Sequence, residues 1–128
     1  MPEFGQKLEL AQGTPCRLGF ATGDSLCSVE LPTCPDGFTI VLLGVDAWGA
    51  ASEASALTGG LSWSGGEGLW AATAQLVSPA YEDGVSWRGQ LPYAPGEYLI
   101  AEATLNVGPV QCGVSCWGLL LPFVIYDL

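Results

Sequence analysis

At 128 residues, 49% of them hydrophobic and only 12% charged, the chain has the length of one domain and enough apolar surface to bury a core, which excludes a disordered chain and leaves little room for two domains. Three basic residues, Lys7, Arg17 and Arg88, stand against 13 acidic ones for a net charge of -10, a balance that repels phosphate backbones and anionic lipid surfaces and so excludes nucleic acid as a partner. No stretch reaches the ~18 apolar residues of a membrane helix, since the longest, Trp117 to Ile125, is broken by Gly118 and Pro122.

The 18 Gly and 9 Pro point to many short strands joined by tight turns. Candidate strands run from Lys7 to Leu10, Thr14 to Phe20 and Ser25 to Leu31, separated by Gln12-Gly13, Thr22-Gly23-Asp24 and the Pro32 to Gly37 turn region. Pro35-Asp36-Gly37 has the chemistry of a turn, with Pro setting the first corner and Gly accepting a positive φ. Phe38 to Asp46, β-branched and almost continuously apolar, is the strongest strand and suits a central place in a sheet. Ala47 to Leu57 is Ala-rich and is expected to be a short helix or an irregular insertion.

Leu61-Ser62-Trp63, flanked by Gly59-Gly60 and Gly65-Gly66, reads as a small hairpin arm, and Leu69 to Val77 as the strand after it. Val85 to Leu91 alternates cleanly, and so does Glu97 to Val107, whose Leu99, Ala101, Ala103, Leu105 and Val107 form the better core face. Gln111 to Trp117 and Leu119 to Tyr126 close the chain as two strands or as one strand bent at Gly118. Eight to ten strands with turns about every eight to twelve residues predict an all-β single domain over residues 1–128, an antiparallel β-sandwich or jelly-roll-like barrel. Repeated helices for a parallel α/β fold are missing from the pattern.

Five cysteines, Cys16, Cys27, Cys34, Cys112 and Cys116, make an odd count, so a complete internal disulfide framework is excluded. Bridges between Cys16 or Cys27 and Cys34, or between Cys112 and Cys116, need Cα atoms within about 7 Å; otherwise the thiols serve as small apolar filler. Only Cys112 and Cys116 have knuckle-like spacing, and without histidine they do not make a zinc site. Met1 to Lys7 lacks the basic start and apolar run of a secretion signal, so the chain is expected to stay where it was made unless a signal was already removed.

Histidine is missing altogether, which removes the usual general base of hydrolases, and no basic cluster stands near a thiol to activate it. Glu82-Asp83, or Glu97 with Glu102, are the carboxylate pairs that glycosidase chemistry would need, but Glu82-Asp83 before Gly84 reads more simply as a solvated turn. Gly65-Gly66-Glu67-Gly68 lacks the Gly-Lys-Ser/Thr of a phosphate loop, and no calcium-loop spacing occurs. The expectation is a non-enzyme with no cofactor and no metal.

Of the tryptophans, Trp63 sits where a hairpin tip could carry it outward, as a partner anchor or a sugar-stacking platform. Gly37 to Val45 and Asn106 to Tyr126 are long tracts with no charge, more than a free monomer of this size needs, and part of that surface is expected to be covered by other subunits. Trp63, Trp117, Leu119, Leu121 and Phe123 are therefore the candidate partner-binding residues.

Pro95-Gly96-Glu97-Tyr98-Leu99-Ile100-Ala101 resembles the Pro-Gly-x-Tyr strand entry of jelly-roll modules of the complement and tumour-necrosis-factor type, and Trp117-Gly118-Leu119-Leu120-Leu121 looks like their final strand. In its short, acidic, Gly-rich, all-β texture the whole chain resembles the decoration or cement proteins of bacteriophage heads. That resemblance implies a homo-oligomeric structural protein of the virion that binds neighbouring coat subunits. A carbohydrate-binding sandwich working through Trp63 is the alternative.

Overall fold

The computed structural model describes residues 15–106 and 110–122. Eight strands follow one another without a helix among the described residues: β1 Cys16–Gly23, β2 Leu26–Glu30, β3 Phe38–Ala51, β4 Ser55–Trp63, β5 Gly68–Leu76, β6 Glu82–Tyr93, β7 Leu99–Leu105 and β8 Val110–Pro122. They form two antiparallel four-stranded sheets, sheet A in the order β1-β8-β3-β6 and sheet B in the order β2-β7-β4-β5. Neither sheet closes on itself, so the architecture is a β-sandwich and not a closed barrel. The expected strand Lys7 to Leu10, and the chain beyond Pro122 with Phe123, lie outside the described residues, as does Val107.

Period-two burial explains why the sheets stack. Along β7, Leu99, Ala101, Ala103 and Leu105 are buried while Glu102 and Thr104 are exposed, as the alternation predicted. Leu42 and Val45 of β3, Leu57 and Leu61 of β4, Leu76 of β5 and Val114 of β8 meet this face to make one continuous core between the sheets. Gly59 lets the sheets approach closely, because a Cβ there would lie 2.7 Å from Val85 and 2.9 Å from Ala47. The buried Ser55 is satisfied by Asn106, whose Oδ1 accepts from Ser55 Oγ at 2.8 Å and from Ala56 N at 2.9 Å.

The central strand was legible. β3 lies between β8 and β6 and is paired on both sides. The expected helix from Ala47 to Leu57 does not exist: β3 continues to Ala51, a bend occupies Ser52 to Ala54, and β4 starts at Ser55. Alanine's helix propensity is worth only a fraction of a kcal/mol per residue and yields here to hydrogen bonding with two neighbouring strands, with Ala47 buried on the inner face. Leu61-Ser62-Trp63 is likewise the end of β4 rather than a separate arm. The turn before β3 closes with Phe38 N donating to Pro35 O at 3.3 Å and Gly37 at φ 82, so its corners are Asp36 and Gly37, with Pro35 one place earlier than expected. Among the described residues, the last strand is β8, which runs from Val110 through Gly118 to Pro122 as one element.

Candidate protein-binding face

Strand parity sorts β8 into two stripes. Cys112, Val114, Cys116 and Leu120 point into the core, which leaves Ser115, Trp117, Leu119 and Leu121 on the outer face of sheet A. Trp117 is 39% exposed, and Leu119 and Leu121 are half-buried beside it along the same strand. Three of the sequence-predicted residues thus share one line. Trp63 is elsewhere: it ends β4 in the other sheet, half-buried, and its ring meets Tyr93 edge-on at 6.5 Å.

Beside Trp117, the edge strand β1 contributes two residues that sequence reasoning missed. Arg17 pairs with Trp117 in register, and Phe20 pairs with Ser115. Strict alternation would put Arg17 and Phe20 on opposite faces, but a bulge between Arg17 and Gly19 inserts one extra residue and turns both outward. The Arg17 guanidinium lies 5.0 Å from the Phe20 ring centre and 5.3 Å from that of Trp117, a double cation–π contact, and Phe20 is 50% exposed. No alternation signal in the sequence could have found this pairing.

The same row continues across the sheet. Trp117 pairs on its other side with Gly44, which pairs in turn with Arg88. The Arg88 guanidinium lies over Gly44, where a Cβ would come within 2.9 Å of Nη1. Arg88 Nη2 donates to Asp46 Oδ1 at 2.7 Å, and Ser86 Oγ donates to the same oxygen at 2.8 Å. The ion pair is largely exposed, so it orients Arg88 more than it stabilises the fold. Between Phe20 and Asp46, the Ser115 hydroxyl is buried and has no hydrogen-bond partner among the described residues.

The candidate reactive groups are arranged for structure. Burial pushes the Cys27 and Cys116 thiols up to about 12 and raises Cys16 and Cys34 as well, the opposite of what a thiolate nucleophile needs. All five cysteines are free thiols, and four of them are buried. Cys112 and Cys116 share one face of a single strand, about 13 Å apart at the strand rise, too far for a bridge. Glu82-Asp83 is not a turn: both residues lie in β6, paired with Ala50 and Gly49, and Asp83 Oδ1 accepts from Gly84 N at 2.7 Å; Glu97 Oε1 accepts from Ala94 N at 3.0 Å, while Glu102 stands exposed on the outer face of sheet B. Tyr93 and Glu97 line an open cleft with Thr39, Pro92 and Pro95, and both are engaged within the fold, the Tyr93 hydroxyl donating to Pro32 O at 2.8 Å and Glu97 Oε1 accepting from Ala94 N. Among the described residues no three His, Cys, Asp or Glu side chains group as metal ligands, and no helix is long and apolar enough to cross a membrane.

No protein-family model matches the chain, and a search of curated proteins returns no significant match.

Proposed function

We propose that this chain is a non-enzymatic structural subunit that self-associates through the outer face of sheet A, as one component of a larger assembly such as a virion, in the manner of a capsid decoration or cement protein. The observation that carries the reading is Arg17 held between the exposed Phe20 and Trp117 on that face. Arginine and large aromatics are the residue types that dominate protein–protein hot spots, and here they are pre-assembled around one point. Among the described residues of this face, Arg88 is already paired with Asp46, so Arg17 is the cation left to meet a partner, on a chain whose net charge is -10, and the surface that fits it is acidic.

A second copy supplies such a surface. The outer face of sheet B carries Glu30 and Glu102, and its four strands contain no lysine or arginine. Docking sheet A of one copy on sheet B of the next is a heterologous contact, which generates rings or extended arrays rather than closed dimers and suits a subunit that clips neighbours together. The interleaved strand order is that of an eight-stranded jelly roll, an architecture used by many capsid and lectin domains, and the fold alone does not choose between those roles.

Light scattering coupled to size-exclusion chromatography over a range of concentrations tests the reading. The wild-type chain is expected to associate, and Trp117→Ala to raise the dissociation constant by about 30-fold or more, the size of a hot-spot loss of ~2 kcal/mol. A wild-type chain that stays monomeric at all concentrations overturns it. The carbohydrate alternative now rests on Phe20 and Trp117, the aromatic pair that the fold exposes, rather than on Trp63. A tryptophan-fluorescence titration with oligosaccharides that responds in the wild type and is lost in Trp117→Ala would favour it.

A further inference from the structure

We propose that Cys27 and Cys112 are the site of a disulfide that ties the two sheets together. Cys27 lies in β2 of sheet B, paired with Ala103, and Cys112 lies in β8 of sheet A, paired with Gly23 and Gly49. Both side chains point into the core, and their Sγ atoms are 3.6 Å apart, with Cys112 Sγ also 3.6 Å from Ala103 O. A disulfide holds its sulfurs at about 2.05 Å, so the pair must close by about 1.5 Å, within reach of small rotations of the two side chains.

The corner between β1 and β2 is what brings opposite sheets this close. Gly23, the register partner of Cys112, sits so near β2 that a Cβ on it would lie 3.2 Å from Cys27 Cβ. The other thiols are placed differently: Cys34 donates to Phe38 O at 3.1 Å, Cys16 lies on the edge strand, and Cys116 is two strand repeats away from Cys112 on the same face.

The reaction needs an oxidant of the small-molecule disulfide class. One protein thiolate attacks the oxidant's S–S bond, forming a mixed disulfide and releasing one small thiol. The second protein thiolate then attacks the protein sulfur and releases the second small thiol. Two protein thiols thereby lose two electrons and two protons, and the small disulfide is reduced to two thiols. Burial keeps the Cys27 thiol protonated in the folded chain, so the bond forms while the chain folds, before the core closes over it.

The bridge closes a loop across a sequence separation of 85 residues, so it removes much of the freedom of the unfolded chain. The test is to refold the full chain from denaturant in a mixture of reduced and oxidised glutathione, and in parallel under strong reductant, followed by non-reducing peptide mapping and thermal unfolding. The expected result is a Cys27–Cys112 linked peptide, with Cys16, Cys34 and Cys116 left alkylatable, and an unfolding midpoint about 10 °C or more above that of the reduced protein. A C27A/C112A double variant should show the same midpoint in both buffers. Five alkylatable thiols after oxidative refolding, a dominant link through any other cysteine, or an oxidant-dependent midpoint in the double variant would each overturn the proposal. The outcome is independent of whether the outer face of sheet A binds a partner.

Discussion

The outer faces of the two sheets are built on the same alternation and differ in what they present. Sheet A shows Arg17, Phe20 and Trp117 around one point, with Arg88, Asp46 and Ser86 as a hydrogen-bonded row beyond it. Sheet B shows Thr58 and Thr73 with their hydroxyls 3.4 Å apart, Ser28, Thr104 and the carboxylates of Glu30 and Glu102. The inner faces are alike in kind, both apolar, so the difference arises where packing does not dictate residue type. Threonine, serine and glutamate make an adequate solvated skin for a sheet, and most of sheet B shows it, with Leu26, 58% exposed beside Thr104, as an apolar exception. Exposed rings stacked on a guanidinium are more than a skin requires.

Charge reversal is the sharpest way to break the comparison. Arg17→Glu is expected to abolish self-association, and Glu30→Lys with Glu102→Lys on sheet B to weaken it by at least tenfold, as judged by light scattering at low salt. Mixing the two variants should restore a complex that neither forms alone. If the sheet B variants associate as the wild type does, the partner surface is not sheet B.

Glycines on the two faces give the next largest contrast. Gly113 lies under the Trp48 ring on sheet A, and a Cβ there would occupy ring atoms, whereas a Cβ on Gly60 of sheet B would find its nearest neighbour, Trp70 O, at 3.8 Å. Gly113→Ala should therefore lose about 1–3 kcal/mol in urea unfolding by forcing Trp48 aside. Gly60→Ala should be neutral or gain up to about 1 kcal/mol by stiffening the unfolded chain. Equal losses at both sites would mean that the faces do not differ in packing.

Alkaline pH probes the core that both sheets share. In the reduced chain, Cys27 and Cys116 hold their protons up to about pH 12 when folded against about 9 for the ordinary thiol, so above pH 9 the unfolded chain has lost protons that the folded chain keeps. Stability is fully present below pH 9 and falls as pH rises towards 12, at most by about 1.4 kcal/mol per pH unit for each thiol. Urea midpoints at pH 8 and pH 10.5 measure the fall, and Cys116→Ala should make it shallower. The smallest effect is expected for Arg88→Ala: its ion pair with Asp46 is solvent-exposed, so the unfolding midpoint should move by less than about 1 kcal/mol and respond weakly to salt.

Much of the fold could be read from residue order. The alternation of Leu99, Ala101, Ala103 and Leu105, the positive φ of Gly37 and the apolar run of β3 each follow from short-range chemistry, and the structure places them as read. The face carrying Trp117, Leu119 and Leu121 was legible as a charge-free tract with alternating large residues. Ala47 to Leu57 was misread because composition reports intrinsic preference, while strands on either side supply hydrogen bonds that overrule it.

Residue order alone therefore determined an all-β chain with a buried stripe in most strands, an acidic exterior and thiols in excess of any internal pairing scheme. Tertiary structure decided what meets what. The bulge in β1 turned Arg17 and Phe20 to the same side as Trp117, and the corner at Gly23 brought Cys27 against Cys112 from the opposite sheet. Side-chain alternation is a local property of the backbone, set residue by residue. Register, bulges and the approach of one sheet to another depend on segments distant in sequence, so contacts between residues far apart in the chain appear only once the chain is folded.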